Sequence, residues 1–404
     1  MASNFGNCLV SEDVTIEILS RLCVKSLMRF SCVCKYWYTL ARNSTFISKH
    51  LHHHKKNPRL LVQYYNYKTE KYVYTLFPDE TLSSVPHAYD DMNDLEVPRI
   101  PAAVLGPCDG LVCLFYRSKP HPHHMALWNP ATKEFSSLPL PNPNYPSHFN
   151  DFIHLFGFGL DPLTNDYKVV WMRNYWDDEL DYLYLPNVVS VYTRYTDSWR
   201  HFEFENIITC SIENSLCNTY TNGFYYWLCE TDLRNYKLLS FDMRTDNFKE
   251  EIPTPPNLCN SILLGNLTMY NDHIAMFLYD YNYDMVEQYI YTWVMEGEGS
   301  WTKHLAIGPL YKIHRPLGIW ENGDLFIESE TEHLLLYDHS TEEFKNLGPR
   351  GKESCLQTFT FQESLVSLKG GNACEERNNY FFLDRVQDFF TFPLTWGPFT
   401  AEEI

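Results

Sequence analysis

One unit recurs along most of this 404-residue chain: an apolar strand, a short turn reaching Thr, then an aromatic residue. It reads Leu127-Trp-Asn-Pro-Ala-Thr132-Lys-Glu-Phe135, then Val191-Tyr-Thr-Arg-Tyr-Thr196-Asp-Ser-Trp199. Further copies are Ser240-Phe-Asp-Met-Arg-Thr245-Asp-Asn-Phe248 and Leu336-Tyr-Asp-His-Ser-Thr341-Glu-Glu-Phe344, with Thr292-Trp-Val-Met-Glu-Gly-Glu-Gly-Ser-Trp301 a degenerate one. The leading aromatics, at 128, 192, 241, 293 and 337, lie 64, 49, 52 and 44 residues apart. A second strand precedes each copy and often opens on Gly or Asn-Gly, as in Asp109-Gly-Leu-Val-Cys-Leu-Phe115, Asn222-Gly-Phe-Tyr-Tyr-Trp227 and Asn322-Gly-Asp-Leu-Phe-Ile327. A repeat of this size cannot bury its own apolar faces, so neighbouring copies must stack.

The pattern resembles kelch-type blades and predicts a β-propeller of about six blades, with closure left open. The turn Thr is expected to bond its own backbone, and the aromatics to fill the gaps between sheets. Aromatics are 16% of the chain, which suits strands. Charged residues are only 21%, against 45% hydrophobic, so global disorder is excluded.

The first fifty residues differ. Val14, Ile18 and Leu22, with Leu19 beside them, mark one face of a helix, with Ser11 as N-cap and Glu12 and Asp13 in the first turn. Two more helical stretches follow, Ser26 to Val33 and Cys34 to Arg42. Three short helices cannot cover all their apolar faces, so the rest of the chain or a partner must do so. This segment holds six basic and three acidic side chains, a net +3, against −22 for residues 51–404 and −19 overall. Such acidity opposes binding to phosphate backbones, which excludes nucleic acid as the main partner. The asymmetry points to two surfaces with two partners. Neither a secretory leader nor an apolar run of membrane-spanning length is present in the sequence, so no membrane association is expected. Without a leader, the twelve Cys are expected to be reduced and mostly buried.

The residues Glu12-Asp-Val…Ile18-Leu-Ser-Arg-Leu22…Val24-Lys-Ser-Leu-Met-Arg-Phe30…Cys32-Val-Cys-Lys-Tyr-Trp37…Phe46 resemble the F-box motif of plant ubiquitin-ligase receptors. The resemblance implies docking on a Skp-type adaptor through Val10, Ile18, Leu19, Leu22, Leu27, Val33 and Trp37, and through it a cullin and a RING protein. The family pattern has Leu-Pro where this chain has Val10-Ser11, and Pro where it has Cys23, so looser adaptor binding is expected. Downstream, Leu105-Gly-Pro-Cys-Asp-Gly-Leu-Val112, Trp128-Asn-Pro-Ala-Thr132, Phe156-Gly-Phe-Gly-Leu…Asp166-Tyr-Lys-Val-Val170, Trp293-Val-Met and Pro316-Leu-Gly-Ile-Trp320 resemble the F-box-associated domain. Glu363-Ser-Leu-Val-Ser-Leu368, with Phe46-Ile-Ser-Lys-His-Leu51, is most similar to S-locus F-box proteins, especially the S-locus F-box brothers of apple and pear.

The expected fold is therefore mainly β with a small α-helical N-terminal domain: a three-helix F-box and a propeller. Residues 1–50 are assigned to the F-box, 51–100 to a linker and first blade strands, and 101–370 to the F-box-associated domain. Residues 371–404 form a tail expected to pack on the propeller.

No cofactor or metal site is expected. His52-His-His54 and His121-Pro-His-His124 lack partners at zinc spacing and read as exposed loops. Neither a phosphate loop, a G-x-S-x-G elbow nor an H-E-x-x-H motif occurs. Acidic groups at Asp177, Asp178, Glu179 and Asp181, and at Asp284 with Tyr281 and Tyr283, form a negative, aromatic rim suited to a basic protein.

The resemblance implies a non-catalytic substrate receptor of an SCF ubiquitin ligase. In its S-locus form, this receptor would bind non-self S-RNases in the pollen tube cytosol, with the nucleus as a further compartment. An S-locus-like receptor for another substrate remains an alternative. A propeller enzyme is a weaker one, resting on fold analogy alone.

Overall fold

The computed structural model describes residues 11–66, 71–77, 82, 103–116, 124–141, 149–177, 187–204, 219–231, 235–249, 251–256, 263–280, 287–351 and 355–369. Four helices open the described chain: α1 (Glu12–Leu19), α2 (Val24–Phe30), α3 (Lys35–Leu40) and α4 (Ser44–His54). The fourth is an addition to the expected three. Ser11 caps α1 by accepting from the Val14 amide, and Asn43 caps α4 by accepting from the Phe46 amide. Because α4 runs through His52, His53 and His54, these residues form a helical turn and not an exposed loop. His50, one turn earlier, is fully buried.

Among the described residues, everything that follows is strand and turn. The first blade holds β1 (Arg59–Asn66) and β2 (Lys71–Leu76). The second holds β3 (Ala103–Cys108), β4 (Leu111–Tyr116), β5 (His124–Asn129) and β6 (Glu134–Ser137). In the third are β7 (Phe149–Asp161), β8 (Asp166–Asp177), β9 (Asn187–Thr193) and β10 (Ser198–Phe204). The fourth has β11 (Tyr220–Thr221), β12 (Phe224–Thr231), β13 (Asn235–Asp242), β14 (Asn247–Phe248) and β15 (Ile252–Pro253). The fifth has β16 (Leu263–Tyr270), β17 (His273–Asp280), β18 (Gln288–Gly297) and β19 (Ser300–Leu310). The sixth has β20 (Ile313–Ile319), β21 (Leu325–Ser329), β22 (His333–Asp338) and β23 (Glu343–Arg350). The last strand, β24 (Gln357–Phe361), pairs antiparallel with β1, Leu61 opposite Phe359. The first blade is thus shared between the two ends of the propeller sequence.

The ring closes. Inner strands pack in sequence, β3 on β7, β7 on β12, β12 on β16, β16 on β20, β20 on β24, and β24 back on β3. Between each neighbouring pair of sheets lies one apolar cluster. Phe115, Phe158 and Trp171 fill the gap between blades two and three, and Trp227, Phe241 and Val170 the gap between three and four. Leu61, Val112 and Phe361 seal blade one against two, and Leu60, Phe326 and Leu336 seal it against six. This is the stacking that the repeat requires.

The repeat's chemistry meets expectation at one turn, where the Thr196 hydroxyl donates to the Thr193 carbonyl at 3.3 Å, and differs from it at three others. There the residue after the leading aromatic makes the bonds. The Asn129 Oδ1 accepts from the Ala131 and Thr132 amides, at 3.0 and 3.3 Å. The Asp338 Oδ1 accepts from the Ser340 and Thr341 amides, and the Asp242 Oδ1 from the Arg244 amide. An sp² oxygen two atoms from Cβ reaches these amides, which a Thr hydroxyl three residues on does not. After each Thr comes a left-handed residue: Lys133, Asp197, Asp246 and Glu342, with φ of 59, 47, 54 and 59°. Leading and trailing aromatics face each other across the hairpin, Tyr192–Trp199 at 5.4 Å, Phe241–Phe248 at 5.0 Å and Tyr337–Phe344 at 5.0 Å. Trp199 also reaches the next blade, its Nε1 donating to the Pro139 carbonyl at 2.6 Å.

Free thiols among the described residues are Cys23, Cys32, Cys34, Cys108, Cys113 and Cys355, of which only Cys108 and Cys113 are buried. Cys229 is disulfide-bonded, so the expectation of reduced thiols does not hold there. No helix among the described residues is long and apolar enough to cross a membrane.

Candidate functional site: a helical head on a closed ring

The four helices share one small core. Leu19, Val24, Leu27 and Phe46 are buried in it, with Leu22, Phe30, Trp37 and Ile47 partly buried against them. Two residues from the β domain complete it: Leu365, 4% exposed, and Ala131, from the turn after β5. The apolar faces that three helices could not cover alone are therefore covered in part by the propeller. What remains outside is Val14, Ile18, Val33 and Tyr38, at 49, 54, 69 and 49% exposure.

The expected docking residues divide accordingly. Ile18 and Val33 stand on the surface. Leu19 and Leu27 are buried inside the head, and Leu22 and Trp37 are half-buried around its core, Trp37 against Phe30 at 5.2 Å. Val10 lies outside the described residues. Val14 and Tyr38 join the exposed set; the sequence marks Val14 only as part of a helical face and gives Tyr38 no signal.

Around this patch the charges are tied down. Glu17 receives Arg21 at 2.6 Å and Lys49 at 2.6 Å, and their hydrogen bonds hold its carboxyl down at about 2. Tyr36 donates to Glu12 at 2.8 Å, and the Arg42 guanidinium lies 3.7 Å over the Tyr38 ring.

The head sits on one end of the ring. In the second to sixth blades, the first strand joins the second at that end through tight turns. Asp109-Gly110, Asn222-Gly223 and Asn271-Asp272 carry positive φ at both positions, as two-residue hairpins require. Gly110 is also pressed against the strap that follows β24: a Cβ there would meet Gln362 O and Ser364 Cβ, each at 2.5 Å. From α4, Lys55 reaches Asp272 in the turn between β16 and β17 at 2.9 Å.

Second and third strands join at the opposite end. Two of those connections follow β8 and β17, and they contain the expected acidic rim. Asp177 is the last residue of β8. Asp178, Glu179, Asp181, Tyr281, Tyr283 and Asp284 lie outside the described residues. The head and these connections therefore leave the strands at opposite ends.

Among the described residues, one group has the makings of a cation site, Asp324, Asp338 and His339. Each is already engaged: the Asp324 Oδ1 meets the His339 Nδ1 at 3.0 Å, and Asp338 caps its turn. Bonding within the turn accounts for the cluster.

Residues 59–367 match the F-box associated beta propeller domain, and residues 9–49 match the F-box domain. The chain belongs to the F-box proteins that carry an F-box associated β-propeller. An F-box/kelch-repeat protein of Arabidopsis thaliana is 28% identical over 365 residues, covering 87% of this chain and 93% of that one. A second F-box protein of the same plant is 27% identical over 257 residues, covering 61% of this chain and 76% of that one. Among solved structures, a periplasmic gluconolactonase of Pseudomonas aeruginosa aligns with a TM-score of 0.38 and 11% identity, over 74% of this chain and 84% of that one. At that level the likeness has no bearing on activity. Membership of this family implies a substrate receptor that binds a Skp-type adaptor within an SCF ubiquitin ligase.

Proposed function

We propose that this chain is the S-locus form of such a receptor, recognising non-self S-RNases in the pollen tube for ubiquitination and proteasomal degradation. The observation that carries this is the separation of ends. An adaptor-type head occupies one end of a rigid ring, and acidic connections leave the other. Opposite ends let one molecule hold adaptor and substrate together, which raises the effective concentration of substrate lysines near the charged conjugating enzyme. A −22 body suits a basic secreted ribonuclease. The likeness of the 363–368 and 46–51 segments to S-locus proteins supports the particular substrate. The receptor itself breaks no bond in this reading.

At the head, Ile18 and Val33, with Val14 and Tyr38, form the contact face. Leu19, Leu22, Leu27 and Trp37 hold its shape from behind, and Val10 extends it. In the rim, Asp177, Asp178, Glu179, Asp181, Tyr281, Tyr283 and Asp284 meet the substrate.

The test is a reconstituted ligase of this chain with a pollen Skp-type adaptor, cullin and RING protein. It is offered self and non-self S-RNases and an unrelated basic ribonuclease. Ubiquitin should pass to the non-self enzymes alone. Equal modification of all three would reduce the rim to a charge trap. Absence of adaptor binding would end the receptor reading.

A further inference from the structure

After β24 the chain does not leave the ring. Residues 362–369 run as a strap beneath the head, and nearly every group of the strap is engaged. The Glu363 carboxylate, 8% exposed, serves both domains. Its Oε1 receives the Arg59 guanidinium at 2.6 Å, at the start of β1. Its Oε2 accepts the Val24 amide at 2.9 Å, at the start of α2. Ser364 is fully buried, and Asn129 Nδ2 donates to the Ser364 and Val366 carbonyls at 3.0 and 2.8 Å. Leu365 enters the core of the head. Further on, the Glu134 carboxylate accepts from the Ser367 hydroxyl and the Leu368 amide, and Arg194 donates to the Ser367 carbonyl at 2.5 Å.

We infer that this strap is the positioning element of the receptor, with Glu363 and Leu365 as its key residues. They fix the angle between the head and the ring, and therefore where a bound substrate stands relative to the conjugating enzyme. The argument is geometric. The 55–58 connection between α4 and β1 is a single short strand of chain, which alone would act as a hinge. Besides the exposed Lys55–Asp272 pair and the contact of Ala131, two buried restraints from the strap stand against it. One is a buried carboxylate with one oxygen on each domain, a charge-assisted bond to each. The other is an apolar side chain from the ring packed into the head. Neither residue touches the exposed face of the head, and neither lies at the rim end of the ring. Their loss should therefore leave both binding surfaces as they are and free only the joint between them. Transfer depends on orientation as well as on binding, so a loosened joint lowers the rate of the transfer step.

The inference rests on the receptor reading for its consequence, but not for the joint itself, and two measurements keep the two apart. The full chain is labelled at the exposed sites Ser48 and Tyr195 through unnatural amino acids, and single-molecule energy transfer gives the head-to-ring distance distribution. Wild type should give one narrow distribution. Glu363→Ala with Leu365→Ala should broaden it, with the unfolding of the ring followed separately by the fluorescence of its buried tryptophans. Leu365→Met should restore the narrow form. The same variants are then assayed in the reconstituted ligase for ubiquitin transfer to lysines of the chain's own ring. Adaptor affinity should be unchanged, while transfer falls about tenfold and spreads to lysines that wild type leaves unmodified. A distribution as narrow as wild type in the double variant, or a broad one with wild-type transfer, would overturn the inference. Failure of wild type to bind adaptor would instead overturn the receptor reading, with the distance measurement still deciding the joint. If the double variant does not fold, Leu365→Ala alone, which removes only the apolar contact between strap and head, is read in the same way.

Discussion

His50 and His54 both turn Nε2 towards one carbonyl, that of Leu22, at 3.0 and 3.2 Å. Two lone pairs on that oxygen can accept two N–H groups, which ties α4 to the end of α1. Burial, followed by the neighbouring His54, pushes His50 down from 6.5 to about 4. His50 is therefore neutral in the folded head, whereas the unfolded chain takes up a proton below 6.5. Its contribution is complete above 6.5 and is lost as pH falls towards 4. We expect the protection factors of amides in the head, taken relative to intrinsic exchange at each pH, to fall between pH 6.5 and 4. His50→Leu should flatten that dependence; an unchanged slope would show that other groups set it. The same scale separates core from contact in the head. Leu27→Ala should cost the head about 2–5 kcal/mol by leaving a cavity, read by denaturant unfolding. Ile18→Asp and Val33→Asp should leave stability nearly unchanged and weaken adaptor binding, read by titration calorimetry. Sequence spacing placed all these side chains on helices, but it could not tell which of them face inward. That depends on Leu365, more than three hundred residues away.

At the scale of the element, the hairpins carry their own instructions. The Asx residue, the left-handed residue after Thr and the facing aromatics are all visible in one nine-residue window. This is why the repeat could be read from sequence, although the expected Thr bond forms at Thr196 while an Asx side chain holds the turn in three other copies. The first blade could not be read this way. Its innermost strand, β24, is five residues long and finds its partner across the whole propeller. Trp227 shows how far interblade packing outweighs any single strand. It is fully buried, and its Nε1 donates to the Phe156 carbonyl of the next blade at 2.8 Å. Gly157 beside it leaves no room for more, since a Cβ would stand 3.0 Å from the Trp227 ring. Trp227→Ala should cost about 3–5 kcal/mol, with Trp227→Phe intermediate, both measured by the denaturant midpoint. Equal midpoints for Phe and Trp would mean the indole bond contributes nothing.

For the molecule as a whole, charge and topology act together. A body of −22 attracts a basic partner over distances that salt shortens to about 8–10 Å at physiological ionic strength. The association rate with a basic S-RNase, followed by stopped flow, should fall steeply with added salt while dissociation changes little. A flat response would remove electrostatics from recognition. The strap and β24 have a further consequence, in the order of synthesis. A ribosome makes the head first, yet the head's core lacks Leu365 until some three hundred further residues have been added, and the ring stays open until β24 has emerged. Both halves therefore mature on the same late segment. A nascent or prematurely terminated chain could still meet adaptor, but it would have neither a fixed joint nor a closed ring, so it could not place a substrate for transfer.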